Sequence, residues 1–514
     1  MSLSSSFLKS AVFIAAFSIY SPLVQAQRLS DKQLDQLTET YFLHSAELLK
    51  EMIAVKNDAA IPEHVEANIA YAQRVFSDRG FSIEMLETSG IPLMLATYEP
   101  KRAKRTLLTY LHVDGQAVDL SKWLQPDPYE VVLKKPTAEG GYATVAWSDL
   151  SENYDPDLRF FGRSTSDDKG PLAMFLAAWD ALTSVKKLPE YSIKMIVDFE
   201  EEQGSPSLPE AVTLYKDKLT ADAMLIFDGP RHVSNLPTLT FGARGIATVT
   251  LETFGPKLAQ HSGHYGNYAP NPALMLAQAL ASMKDERGRV LIKGFYDNIN
   301  ITAEEKALLE AVPDDEEAIQ QRLGIARPDA VGGSYQESIQ YPSLNIRGLR
   351  SAWVGAEVRT IVPATALAEI DIRLVPEVDP DRLIALVRSH LEAQGFVVLD
   401  DRAPTDEERA QHSKLIRMQS SISYQAFRTP FDSEVSVWLS EIMKRSFDES
   451  LVSVRMSGGS IPISPFVDGL GIDAVTIPTV NADNNQHSPN ENLRVQNLKD
   501  GLRTLIAVLS AESY

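Results

Sequence analysis

The stretch YSIKMIVDFEEEQGSPSL, Tyr191 to Leu208, decides the fold. Tyr191–Phe199 is an apolar run of strand length, and it closes on Glu200, Glu201 and Glu202. Like charges repel, so such a strand either ends in water or faces a cation. Its neighbours repeat the pattern. LLTYLHVD, Leu107 to Asp114, closes on His112 and Asp114; ADAMLIFDG, Ala221 to Gly229, closes on Asp228. Between them KGPLAMFLAAWDAL reads as a buried helix, Lys169–Leu182, begun just after Asp167-Asp168, and Pro206–Leu219 reads as a second. Strands and helices alternating at these lengths predict an α/β layer with a mostly parallel central sheet.

Beyond Phe241 the pattern changes. IATVTLETF (Ile246–Phe254) and EIDIRLVPE (Glu369–Glu377) alternate as half-exposed strands, with helices over Asn271–Lys284 and Arg382–Gln394 and a short strand at FVVLD. This β-α-β-β-α-β-like order predicts a ferredoxin-like α+β domain with one open sheet face. The α/β pattern returns near Asp401, with a helix over Asp432–Phe447 and a final one over Asn497–Ala511. The expected division is therefore a catalytic domain of 27–241 and 402–514, with a dimerisation or lid domain inserted at 242–401. The segment 287–343 has no clear place in either pattern.

The chain has 514 residues, a formal net charge of −20 and no cysteine. The acidic surplus disfavours nucleic acid as a partner. Without cysteine there are no disulfides, no thiolate catalysis and no Cys-type zinc sites. Residues 1–26 read as a signal peptide: Lys9, an apolar run, then VQA before Gln27. That run is short for a membrane span. The expectation is an exported chain, periplasmic or secreted, with no membrane association after cleavage.

Five carboxyl-end loops carry His, Asp or Glu: His112 and Asp114, Asp167-Asp168, Glu200 to Glu202, Asp228, and His487 in the late Asn-rich loop. Open α/β sheets collect ligands at these ends, and the set suits a two-ion site with a shared carboxylate. Each member also has a plainer reading. His112 alone fits a satisfied core histidine. Asp167-Asp168 fits a helix N-cap. The glutamates fit a hydrated strand end, and Asp228 and His487 fit turn chemistry.

Taken in order, HVD, GRSTSDDKGP, EEQGS, HSGHYGNYAPNP, IRLVP and HSPNE resemble the aminoacylase / carboxypeptidase G / carnosinase family of dinuclear zinc exopeptidases and deacylases. Trp123 and GFYDNINITAEEKALLEAVP are closer to its dipeptidase-like branch. The resemblance implies a metallo-exopeptidase with two divalent ions, zinc before manganese or cobalt. It implies His112 and Asp228 on one ion, Glu202 and His487 on the other, and Asp167 bridging, with a cis Asp167-Asp168 bond. Asp114 would orient His112. Glu201 would be the general base on a metal-bridging water, leaving Glu200 solvated or structural. His261 would reach the site of a second subunit in a homodimer. Arg373 would clamp the substrate carboxylate, and Gly459 and Ser460 would line the substrate end of the cleft. The implied substrate is a dipeptide or short peptide. An N-acyl amino acid cleaved by a deacylase is the alternative, and a non-catalytic binding protein of the same fold is a further one.

Overall fold

An eight-stranded sheet carries the candidate ligands. The structure, a computed structural model, describes residues 29–150 and 154–513. The segment read as a signal peptide lies outside the described residues. The strand order is Ser82–Leu86, Leu93–Tyr98, Ser192–Asp198, Thr106–His112, Ala223–Ile226, Asp473–Thr476, Thr238–Thr240 and Val452–Val454. At its centre Thr106–His112 runs parallel to both Ser192–Asp198 and Ala223–Ile226. Antiparallel pairs flank this centre on both sides. His112, Glu200–Glu202 and Asp228 therefore leave the sheet at one edge, because their strands point the same way.

Burial fixes the layers. Helices Asp31–Ile53, Lys169–Ser184 and Val495–Leu509 cover one face, their Leu49, Phe175, Trp179 and Leu505 packed into one apolar cluster. Helices Leu208–Leu214 and Ser464–Leu470 cover the other through Leu208, Val212 and Phe466. The single helix expected over Pro206–Leu219 is two, Leu208–Leu214 and Lys216–Leu219, divided at Tyr215. A four-stranded sheet of Asn492–Arg494, Arg159–Phe161, Val132–Pro136 and Tyr142–Thr144 lies apart from the large one. Its register sets Asn492 opposite Phe161, which brings the 487–491 loop against the 162–168 loop.

The second body is a five-stranded sheet ordered Ser343–Ser351, Thr365–Leu374, Gly245–Phe254, Leu415–Tyr424 and Val397–Asp400. Its core cluster sets Leu276, Leu280, Leu383 and Val387, from helices Pro272–Met283 and Pro380–Ala393, against the sheet's Val249, Ile370 and Ile372. The expected boundary at 401/402 needs correction. Leu415–Tyr424 belongs to the small sheet, paired along Gly245–Phe254. Its outer half, QSSISY, holds three serines and only two apolar residues, Ile422 and Tyr424, both half-buried, so the apolar signal of a strand is weak there. Within the 287–343 segment lie the helices Ala303–Glu310, Glu316–Leu323 and Tyr335–Ser338.

Candidate active site

Two groups of ligating side chains meet at the carboxyl edge of the large sheet. His112, Asp168 and Asp228 form one; Asp167, Glu202 and His487 form the other, with one ligand atom per residue inside 4.8 Å of the rest. Asp167 links them. Its Oδ1 lies 3.0 Å from His112 Nε2, and its Oδ2 lies 3.0 Å from His487 Nε2. His487 Nε2 is also 3.2 Å from Glu202 Oε2. The Asp167-Asp168 peptide bond is cis.

The N-cap reading of Asp168 does not hold. It stands at the cap position of Lys169–Ser184, but its side chain makes no capping bond. Instead Oδ2 accepts the His112 amide at 3.3 Å, and the buried Oδ1 has no hydrogen-bond partner among the described residues. A fully buried carboxylate oxygen left bare is costly unless a cation faces it.

Asp114 organises the centre. Its Oδ1 lies 3.2 Å from His112 Nδ1, leaving Nε2 to face the cluster. The same carboxylate accepts the backbone N–H groups of Glu201 at 3.1 Å and Glu202 at 3.0 Å. One side chain thus fixes a histidine ring and both glutamates. The chain then turns sharply at Gly204, whose φ is +87°. A Cβ there would strike Tyr424 Oη, which donates to the Gly204 carbonyl at 3.0 Å. Glu201 Oε2 stands 4.0 Å from His112 Nε2. Glu200 is not solvated: it is buried, and it accepts the Ser207 amide at 3.0 Å.

The electrostatics of the cluster are those of crowded acids. Burial, then the neighbouring carboxylates, push Glu202 up to about 7 and Asp228 up to about 6. Glu201 and Asp168 are raised above the carboxylate range by burial and by Asp228. Burial opposes charge on His112, but its bonds to Asp114 and Asp167 hold its proton well above the imidazole range. His487 is raised to about 9, first by its contact with Asp167. Two imidazoles and four carboxylates fit divalent ions of the zinc or manganese class, and dications would reverse the repulsion.

Sequence reasoning missed two residues. Glu491 is completely buried and gathers the loop behind Asp167. One oxygen accepts Arg163 Nη1 and the Ser164 amide, both at 2.8 Å. The other accepts Ser166 Oγ at 2.8 Å and the Ser166 and Asp167 amides at 3.0 Å. Glu491 ends the quoted HSPNE motif, so the signal was present without a role. Gln116 donates to Glu202 Oε2 at 2.7 Å, and nothing in its local sequence marks it.

The substrate-end residues divide. Arg373 donates to Ser460 Oγ at 2.9 Å, and its Nε lies 3.7 Å from Asp371. A Cβ on Gly459 would meet no atom within 4 Å. His261 is on the inserted body, exposed, and its Nδ1 accepts the Gly263 amide at 3.0 Å. Trp123 is buried under the Arg163 guanidinium, 5.3 Å from the ring centre.

Comparison with known proteins accords with this geometry. Residues 241–397 match the peptidase dimerisation domain of the M20 family. The Cys-Gly metallodipeptidase DUG1 of Saccharomyces cerevisiae is 25% identical over 509 residues, covering 93% of this chain and 96% of its own. The Beta-Ala-His dipeptidase of Homo sapiens is 24% identical over 507 residues, 92% of each. Among solved structures, the M20 metallo-carboxypeptidase Sso-CP2 of Sulfolobus solfataricus superposes with a TM-score of 0.72 at 26% identity, covering 91% of this chain and 98% of that one. The relatives also correct the expectation of export: the yeast dipeptidases of this kind are cytosolic rather than exported. Among the described residues no helix is long and apolar enough to cross a membrane. The inserted fold, the paired ligand groups and relatives that span almost the whole chain together make it similar to the M20 peptidases, and to the metal-dependent dipeptidases among them.

Proposed function

We propose that this chain hydrolyses dipeptides carrying a free C-terminal carboxylate, with two divalent ions, zinc before manganese or cobalt. The observation that supports this most is the meeting of two ligand groups at Asp167, beside the carboxylate of Glu201. In this reading His112 and Asp228 would hold one ion, Glu202 and His487 the other, and Asp167 would serve both. Asp168 adds its bare oxygen to the first group. Ions held there would supply Lewis-acid polarisation and acidify water.

The chain's own groups do the rest. Glu201 takes the proton of the attacking water and returns it to the leaving amine. Asp114 keeps His112 and Glu201 in register. Arg373 binds the substrate carboxylate through its planar fork, with Ser460 beside it and Gly459 leaving room. The inserted body pairs two copies as a homodimer, and His261 of the partner subunit steadies the developing oxyanion.

Glu201→Gln tests the assignment. Turnover should fall ~10²–10⁴-fold while metal content stays unchanged; full activity would overturn the role. His261→Ala should slow turnover by ~10²-fold or more with metal retained, and loss of metal would show that His261 is misplaced. A panel of dipeptides and N-acyl amino acids decides the reaction class. Cleavage of the N-acyl compounds alone would make the chain a deacylase.

A further inference from the structure

The segment 287–343, which the sequence pattern leaves without a place, encloses a cavity of about 310 Å3. Its walls are mainly apolar: Ile319, Leu323, Ile325, Val331, Ile339 and Leu344. The polar groups at its edge are engaged with one another. Lys284 pairs with Asp329 at 3.5 Å, and Glu316 accepts the Tyr335 amide at 2.8 Å. An engineered apolar cavity of about half that size holds benzene in another protein.

Two observations tie this cavity to the substrate-carboxylate end. The first is Arg244. It lines the cavity, is 7% exposed, and spends one terminal nitrogen on the Tyr341 carbonyl at 2.8 Å. Its Nε has no hydrogen-bond partner among the described residues. Arg373 stands opposite Ser343, which lines the same cavity as Arg244, and burial and then the charge of Arg373 push the Arg244 pKa down to about 10. An anion beside both would relieve that repulsion. The second is the loop that carries Ser460. A Cβ on Gly458 would lie 3.8 Å from Ile339 Cγ2 and 3.9 Å from Tyr335 Oη, so the cavity wall touches this loop. Arg455, at its start, binds Gln340 at 2.7 Å and also pairs with Glu305. Asp314 lies 3.0 Å from His232. These contacts fasten the segment to the catalytic body.

We infer that this cavity receives the side chain of the substrate's C-terminal residue and selects a bulky apolar one, while Arg244 stands behind Arg373 as a second cation for the carboxylate. This rests on the dipeptidase reading for its setting. Arg373 and Ser460, beside the wall residues Ser343 and Ile339, would hold the carboxylate, and the side chain of that same residue would pass inward among Ile319, Ile339 and Leu344. Leucine or phenylalanine would fill the space. Glycine would leave it to water.

Two measurements test this separately from turnover as such. The first is kcat/KM of the metal-loaded enzyme on Gly-Gly, Gly-Leu and Gly-Phe, for the native chain and for Ile319→Trp, which fills the cavity. The native enzyme should favour Gly-Leu and Gly-Phe at least tenfold. Ile319→Trp should erase that preference, bringing Gly-Leu and Gly-Phe down to the level of Gly-Gly. The second is calorimetric binding of free leucine, phenylalanine and glycine. Leucine and phenylalanine should bind at least tenfold more tightly than glycine, and only to the native chain. Equal affinities, or a preference that survives Ile319→Trp, would overturn the inference. If no dipeptide is cleaved but the apolar amino acids still bind selectively, the cavity assignment stands and the dipeptidase reading fails.

Discussion

Glu491→Gln is the most informative single change, because it alters no ligand and keeps the shape of the side chain. Glu491 presents two oxygens to five donors: Arg163 Nη1 and Ser164 N on one, Ser166 N, Ser166 Oγ and Asp167 N on the other. An amide keeps one acceptor oxygen. Its better orientation leaves that oxygen with Ser166 and Asp167 and turns the NH2 group against Arg163 and Ser164. Two bonds to a charged acceptor are lost, each worth ~1.5–3 kcal/mol. The Arg163 guanidinium, 3% exposed, loses its carboxylate partner, and breaking a buried pair costs ~3–5 kcal/mol. These costs overlap, so the total is ~3–5 kcal/mol, or roughly 5–8 °C in the unfolding midpoint for a body of about three hundred residues. The loop that aims Asp167 loosens with it, and metal affinity should drop ~10–100-fold, as for other outer partners of metal ligands. Thermal unfolding of the metal-free chain and zinc competition against a chromogenic chelator measure the two effects. Glu200→Gln is the control, since that carboxylate accepts one backbone amide from Ser207. Unchanged affinity and midpoint in Glu491→Gln, or an equal loss in Glu200→Gln, would refute the reasoning.

Stability of the metal-free chain should fall as pH rises. Glu202 is raised to about 7 and Asp228 to about 6, so the folded chain holds more protons than the unfolded one from the ordinary carboxylate range up to about pH 7. His487, raised to about 9, adds stability that is present below ~6.5 and lost as pH passes about 9. Bound ions replace those protons, so the gap in unfolding midpoint between metal-loaded and metal-free chain should widen between about pH 5 and about pH 9; a constant gap would contradict this. Arg373→Met should raise KM for dipeptides at least tenfold and leave metal content unchanged, whereas Arg373→Lys should restore only part of the loss, because an ammonium cannot present a planar fork. An unchanged KM in Arg373→Met would remove Arg373 from carboxylate binding.

What the sequence discloses here follows from how each residue does its work. Strands buried on both faces read as continuous apolar runs, so Thr106–His112, Ser192–Asp198 and Ala223–Ile226 are visible, and so are the ligands at their ends. Leu415–Tyr424 is less visible, because its outer half is rich in serine and only half-buried. Glu491 is hidden for another reason. Its partners lie more than three hundred residues upstream, brought near only by the pairing of Asn492–Arg494 with Arg159–Phe161. Arg244 is the same kind of case: nothing in FGARG marks it, and only the fold brings it to the cavity wall against the Tyr341 carbonyl. Ligands must sit at strand ends, and local sequence marks strand ends. The residues that aim ligands, or that shape the space for a side chain, are chosen by tertiary approach and carry no local mark. The opening triplet shows both kinds side by side. Glu201 and Glu202 have their amides held by Asp114 and their carboxylates in the cluster, whereas Glu200 turns inward to Ser207. Three identical letters in a row thus take two different tasks, and what separates them is the 3-10 turn beginning at Glu201, which follows the strand and ends at Gly204.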